Sequence, residues 1–258
     1  MPDRSTAFIK AETLKLRRVH SLHLLYIFPV LLAIIAMFVF MKESAGMDPE
    51  VNPRLTFLYR LYFGFYTYFS PLTMGLLVFS MLQMEHKGKT WESVLLLPIP
   101  RYQLYLGKLM VTSTCVLFYV TVSWLSYRLA IQVLAGMYPQ LPFADYSDGI
   151  ETGLFFLRFG LVLWMLAVIF FNVYLYLPNA LFALGGAFFV LTGSFLLVKQ
   201  HWAIYFPFAY PSIVSKTYGI TRFWDKPVVL TLVWLLVAGT GGMLFFAKSG
   251  KAVHRLTN

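Results

Sequence analysis

The sequence predicts an all-α integral membrane protein: six transmembrane helices, an amino-terminal amphipathic interfacial helix, and a short helix on an internal loop. Three observations predict it. Of 258 residues, 59% are hydrophobic and only 12% charged, roughly half the charged share of an ordinary soluble domain. Six apolar runs come near the ~20 residues needed to cross hydrocarbon. The net charge is +10, but the basic residues sit in short flanks between apolar runs, where the cytoplasmic membrane face selects them. Nucleic-acid binding is therefore not what the charge is for.

Residues 1–20 come first. Phe8, Ile9, Leu16 and Val19 share one helical face, with Lys10, Arg17 and Arg18 opposite, while Glu12 and Lys15 interrupt the apolar side. The pattern reads as a helix lying on the cytoplasmic surface; a solvated basic tail is the plainer alternative. The apolar run that follows is too long for the core of a cleaved signal peptide. The spans are then 24–41, 61–84, 109–127, 159–177, 180–198 and 228–247. The fourth and fifth form one apolar run that is too long for a single crossing. Pro178-Asn179 splits it into a tight hairpin, since proline ends helices.

Orientation follows from Lys and Arg near the span ends. With the amino terminus inside, Arg4, Lys10, Lys15, Arg17, Arg18, Lys87, Lys89, Arg101, Lys108, Lys248, Lys251 and Arg255 are cytoplasmic. These are twelve of the 21 basic residues, leaving nine outside. The bias is clearest around the first span. Both termini and segment 85–108 then face the cytoplasm of a cell membrane.

Segment 85–108 is the polar island between the second and third spans. Thr90 caps a short helix whose first turn holds Trp91 and Glu92, with Glu92 well placed at the positive helix end. Pro98 and Pro100 stop it after about two turns. Two external loops stand out. Residues 138–151 are acidic and turn-rich. In 199–226, His201, Trp202, Tyr205, Phe206, Phe208 and Tyr210 cluster around Pro207 and Pro211. Two readings of that cluster stay open: a segment dipping back into the outer leaflet, or an aromatic belt at the interface.

Several function classes drop out. The six spans as drawn contain no Asp, Glu, Lys, Arg or His, whereas proton-coupled carriers, ion pumps and voltage sensors need ionisable groups in the membrane. Asn172 and scattered Thr and Ser are the strongest polar residues there. Gly88-Lys89-Thr90 ends like a phosphate-binding loop, but Gln83 stands where its upstream glycine belongs, and an apolar span precedes it instead of a strand. His20, His23, His86, His201 and His254 form no metal-ligand spacing, and no nucleophile is accompanied by a recognisable base. The single cysteine, Cys115, lies in an apolar run and allows no internal disulfide.

Glu85, Gly88, Thr90, Trp91 and Glu92, then Leu95-Leu96, Pro98, Arg101 and Gly107-Lys108, resemble the first cytoplasmic loop of type 2 ABC exporter permeases. There an acid closes the second span, a Gly-Thr turn leads into a short coupling helix, and Gly-Lys opens the third span. The amphipathic first helix, six spans and aromatic-proline segment are also similar. Chain length and the Trp202, Pro207, Tyr210-Pro211 pattern resemble the subgroup that confers immunity to lantibiotic and bacitracin-type peptides.

The resemblance implies a non-catalytic permease subunit working with a separate ABC ATPase subunit, which would bind ATP and Mg. A second permease copy or a sister permease would complete the path, in a bacterial plasma membrane. Glu85, Gly88, Thr90, Trp91, Glu92, Val94 and Leu95 would form the ATPase-coupling set. Trp202, Tyr205, Phe206, Phe208 and Tyr210 would face an amphipathic substrate, with membrane lipid around the spans. Gly185, Gly186, Gly193, Gly239, Gly241 and Gly242 are permissive for close helix approach. The competing readings are a lipid or polysaccharide exporter permease of the same family, and a membrane scaffold or enzyme without an ATPase partner.

Overall fold

The computed structural model describes residues 14, 20–44, 52–87, 100–143, 146, 150–177, 179–216 and 224–248. No strand occurs among them. A 3₁₀ turn, His20–His23, leads into α1, Leu24–Ser44. Helix α2, Pro53–Tyr59, passes through a π-helical stretch, Arg60–Tyr66, directly into α3, Thr67–Lys87. Helix α4, Arg101–Met137, is followed by α5, Ile150–Tyr176, and α6, Ala180–Leu197. Two 3₁₀ turns, His201–Tyr205 and Pro207–Ala209, precede α7, Tyr210–Lys216, and α8, Lys226–Lys248, closes the described fold.

Among the described residues, four stretches are long and apolar enough to cross a membrane: Leu24–Glu43, Arg101–Met137, Thr152–Tyr176 and Lys226–Ala247. They coincide with the first, third, fourth and sixth expected spans. The second expected span belongs to a longer helical run that begins at Pro53. Asn52 starts it, its side-chain oxygen accepting from the amides of Arg54 at 3.0 Å and Leu55 at 3.1 Å, as an N-cap should. Serines, threonines, Gln83, Glu85 and His86 dilute the hydropathy of α3, and the shorter apolar stretch Leu184–Leu197 stands for the fifth span.

The third span is longer than expected. Arg128 ends the apolar run in the sequence, but its guanidinium lies over the Trp124 ring, 5.5 Å from the centroid. The helix continues to Met137, about 55 Å in all. The hairpin expected at Pro178-Asn179 needs a correction. α5 ends at Tyr176 and α6 begins at Ala180, but α6 packs chiefly against α3, hardly touching α5. Tyr68 on α3 meets α6 there, its ring against Phe188 and Phe195 and its hydroxyl bonded to Thr192.

Helix α5 is the axis of the bundle, packed against α8, α3 and α4, while α1 leans on α4. Its Phe159, Val162, Leu163, Met165, Leu166, Ala167, Phe170 and Phe171 are all buried. Outward faces are apolar as well: Ile27, Val30, Leu31, Ile34 and Phe38 on α1, and Val233, Leu236, Val237, Leu244 and Phe245 on α8. Apolar residues on both sides are what a helix needs when its surroundings are lipid. Polar links lie within, as Tyr119 to Ser70 at 2.9 Å and Trp164 to Ser113 at 2.8 Å. Thr73, Thr112, Ser123, Ser126 and Thr231 instead bond the carbonyl four residues back, so they demand no further partner.

Candidate functional site

Two features stand out. The first lies where α3 ends and α4 begins. Glu85 and Lys108 form a buried ion pair, with side chains 5% and 6% exposed. The pair ties together the two ends of segment 85–108. Gly88, Thr90, Trp91, Glu92, Val94 and Leu95 lie outside the described residues, so of the expected coupling set only Glu85 is placed. Lys108, which the sequence offered merely as part of a Gly-Lys pattern, is the partner. Beside the pair, the His86 imidazole is pulled below its ordinary range by burial, partly opposed by the Tyr174 backbone and the Glu85 charge.

The bundle interior is therefore not free of charge. Glu85, Lys108 and Arg158 each fall one residue beyond a span as read from sequence, yet all three are buried. Reading the spans by apolar run alone stops at the first charge, whereas packing extends past it because a paired or snorkelling charge tolerates burial.

The second feature is a groove of about 620 Å³ between α5, α8 and the 3₁₀ turns. Ile169, Asn172, Val173 and Tyr176 form one wall; Trp234, Val237, Ala238, Gly241, Gly242 and Phe245 form another. Tyr205, Phe206, Pro207 and Phe208 close it. The expected substrate-facing residues thus divide. Trp202 and Tyr205 are 51% and 67% exposed. Phe206 and Phe208 pack together at 5.5 Å, and Phe208 meets Phe170 at 5.8 Å. Tyr210 is wholly buried, its hydroxyl donating to the Ile204 carbonyl at 2.7 Å, which folds the segment back on itself. Phe170 lies twelve residues past Arg158, about 18 Å along α5, so the aromatic segment reaches past the helix midpoint.

Asn172 is the polar centre of that groove. Its amide donates to the Ala238 carbonyl at 2.8 Å and accepts from the Tyr105 hydroxyl at 2.8 Å, joining α5, α8 and α4. Gly242 makes room for this, since a Cβ there would overlap the Asn172 amide. Among the other glycines expected at close helix approaches, Gly185, Gly186, Gly193, Gly239 and Gly241 have nothing within 4 Å of such a Cβ. The tight approaches the sequence did not single out are Gly160 against Val120, at 3.1 Å, and Gly75 against Tyr174, at 3.2 Å. Among the described residues no group of His, Cys, Asp and Glu is placed to hold a metal ion.

Long apolar helices with apolar outer faces define a multi-pass membrane protein. Residues 8–194 match the model of the ABC-2 family transporter protein family, and the chain belongs to that family. It is the membrane permease component of an ABC transporter, and membership implies an ATPase partner. No curated protein and no solved structure matches the chain.

Proposed function

We propose that the chain is a six-span permease of an ATP-driven exporter whose cargo is a membrane-active antimicrobial peptide of the lantibiotic or bacitracin type. The observation that carries the reading is the buried Glu85–Lys108 pair. Because it fastens both ends of segment 85–108, a force on that segment moves α3 and α4 together. Trp91, Glu92, Val94 and Leu95 form the surface that the ATPase grips, and Gly88 and Thr90 make the turn into it. Helices α3 and α6 supply the remaining two crossings. Both termini and the coupling segment face the cytoplasm, and a second permease copy or a sister permease completes the path.

The groove supports an amphipathic cargo. Its lining is almost wholly apolar, with the Asn172 amide already committed to the fold. A small hydrated ion would shed water there without charged groups to replace it, at several kcal/mol per unpaired polar group. The packing of Phe208 on Phe170 favours a re-entrant segment over a surface belt. A lipid-linked cargo fits the same apolar lining and is the second reading.

The test is co-expression of the chain with its ATPase. Cells should survive higher doses of a lantibiotic or bacitracin-type peptide, and the ATPase should copurify. Unchanged resistance to every such peptide, with loss of glycolipid or polysaccharide export on deletion, would favour the second reading.

A further inference from the structure

We propose that Arg158 holds a phosphate-type oxyanion at the end of the bundle opposite the Glu85–Lys108 pair. Arg158 sits in the third turn of α5 and is 2% exposed. Its Nη1 lies 3.6 Å from Asp225 Oδ2, a loose contact. Nε and Nη2 are buried with no hydrogen-bond partner. Asp225 is only half committed to the arginine, because its Oδ1 accepts the Val228 amide at 3.1 Å at the start of α8.

A guanidinium keeps its proton in any protein environment, so the charge remains. The Nε–Nη2 edge is the fork that takes a carboxylate or phosphate with two parallel bonds. A buried charge with one weak partner is unfavourable, and an oxyanion on the open edge would relieve it. An ionisable residue at membrane depth with an incomplete partner is a functional site by default.

Position selects the ligand. Gly160 packs on Val120 and Trp164 on Ser113, so α5 runs antiparallel to α4. Val120 is twelve residues past Lys108, about 18 Å along the helix. Arg158 lies a little beyond that level, toward the far ends of the spans, where headgroup phosphates of the opposite leaflet gather. The Asp225 side chain is 19% exposed, so the way in runs past a carboxylate that can swing aside while Oδ1 keeps capping α8. A lipid headgroup and free phosphate present the same chemistry to this fork. The site is independent of what the chain exports.

The experiment is thermal unfolding of the full chain in maltoside micelles, which carry no phosphate, titrated separately with phosphatidylglycerol and with inorganic phosphate. The unsubstituted chain should be stabilised. A response to the lipid alone assigns a headgroup, and a response to both assigns an open oxyanion site; either supports the proposal. Arg158→Gln should weaken the apparent affinity at least about tenfold, with Arg158→Lys in between. Asp225→Asn removes the competing carboxylate and should tighten binding, the opposite of what a purely structural pair would do. If Arg158→Gln does not fold, Arg158→Lys and Asp225→Asn decide the matter. No response in the unsubstituted chain, the same response in the arginine variants, or weaker binding in Asp225→Asn overturns the site.

Discussion

Lys108 and Glu85 are joined where neither side chain reaches water, so each is costly without the other. Glu85→Gln takes the carboxylate away from the buried ammonium and should destabilise the chain by about 3 kcal/mol. The double variant Glu85→Leu/Lys108→Met should recover most of that loss, because a well-packed apolar pair of similar size avoids desolvation. Melting in detergent checks both, and a double variant no better than Glu85→Gln would refute the pairing argument. His86, one residue on, adds a pH term. Its folded value is lowered, so below the ordinary imidazole value of about 6.5 the unfolded chain takes up a proton that the folded chain resists. The contribution is present above that pH and lost as pH falls. His86→Gln should flatten the melting temperature between about pH 7 and 5.

At the level of helices, the contact among α4, α5 and α8 depends on a missing side chain. Gly242→Ala would drive a methyl group into the Asn172 amide and disturb its bonds to Tyr105 and Ala238. Overpacking of this kind costs about 1–3 kcal/mol. Gly241→Ala, one position along, meets open space and should stay within about 0.5 kcal/mol of the parent. The two melting curves separate a specific close approach from a general dislike of side chains in α8; equal losses would remove the distinction. The coupling helix makes a second test. Trp91→Ala with Glu92→Ala should leave membrane insertion intact but uncouple transport from ATP hydrolysis, since truncating an interface anchor often costs about 2 kcal/mol or more. Unchanged transport would return Trp91 to a plain interfacial role.

For the whole molecule, orientation is the prediction with the widest reach. A cysteine at Lys89 should react with an impermeant label only after the membrane is opened, whereas Asp148→Cys should react in intact cells. Labelling of the first in intact cells would place segment 85–108 on the wrong side for any ATPase. The packing agrees with one bundle built around α5, which packs against α3, α4, α7 and α8. The outer faces of α1 and α8 present apolar residues, as helices in contact with lipid do.

The membrane class, the approximate places of the first, third, fourth and sixth expected spans and the helix break near Pro178 were written in the sequence, because hydrocarbon forces long apolar runs and proline forbids an amide. Of the motif read in segment 85–108, residues 88–99 lie outside the described residues, and only its two ends are placed, joined by Glu85 and Lys108. Tertiary structure alone decided which residues beyond the runs are buried, because burial of a charge depends on a partner far along the chain: Lys108 for Glu85, Asp225 for Arg158. Among the glycines described it also singled out Gly242, Gly160 and Gly75 as close approaches, and set Tyr210 inside while leaving Tyr205 outside. Lipid-facing and core-facing residues are both apolar in such a bundle, so the hydrophobic pattern that sorts faces in a soluble protein carries little of that information here.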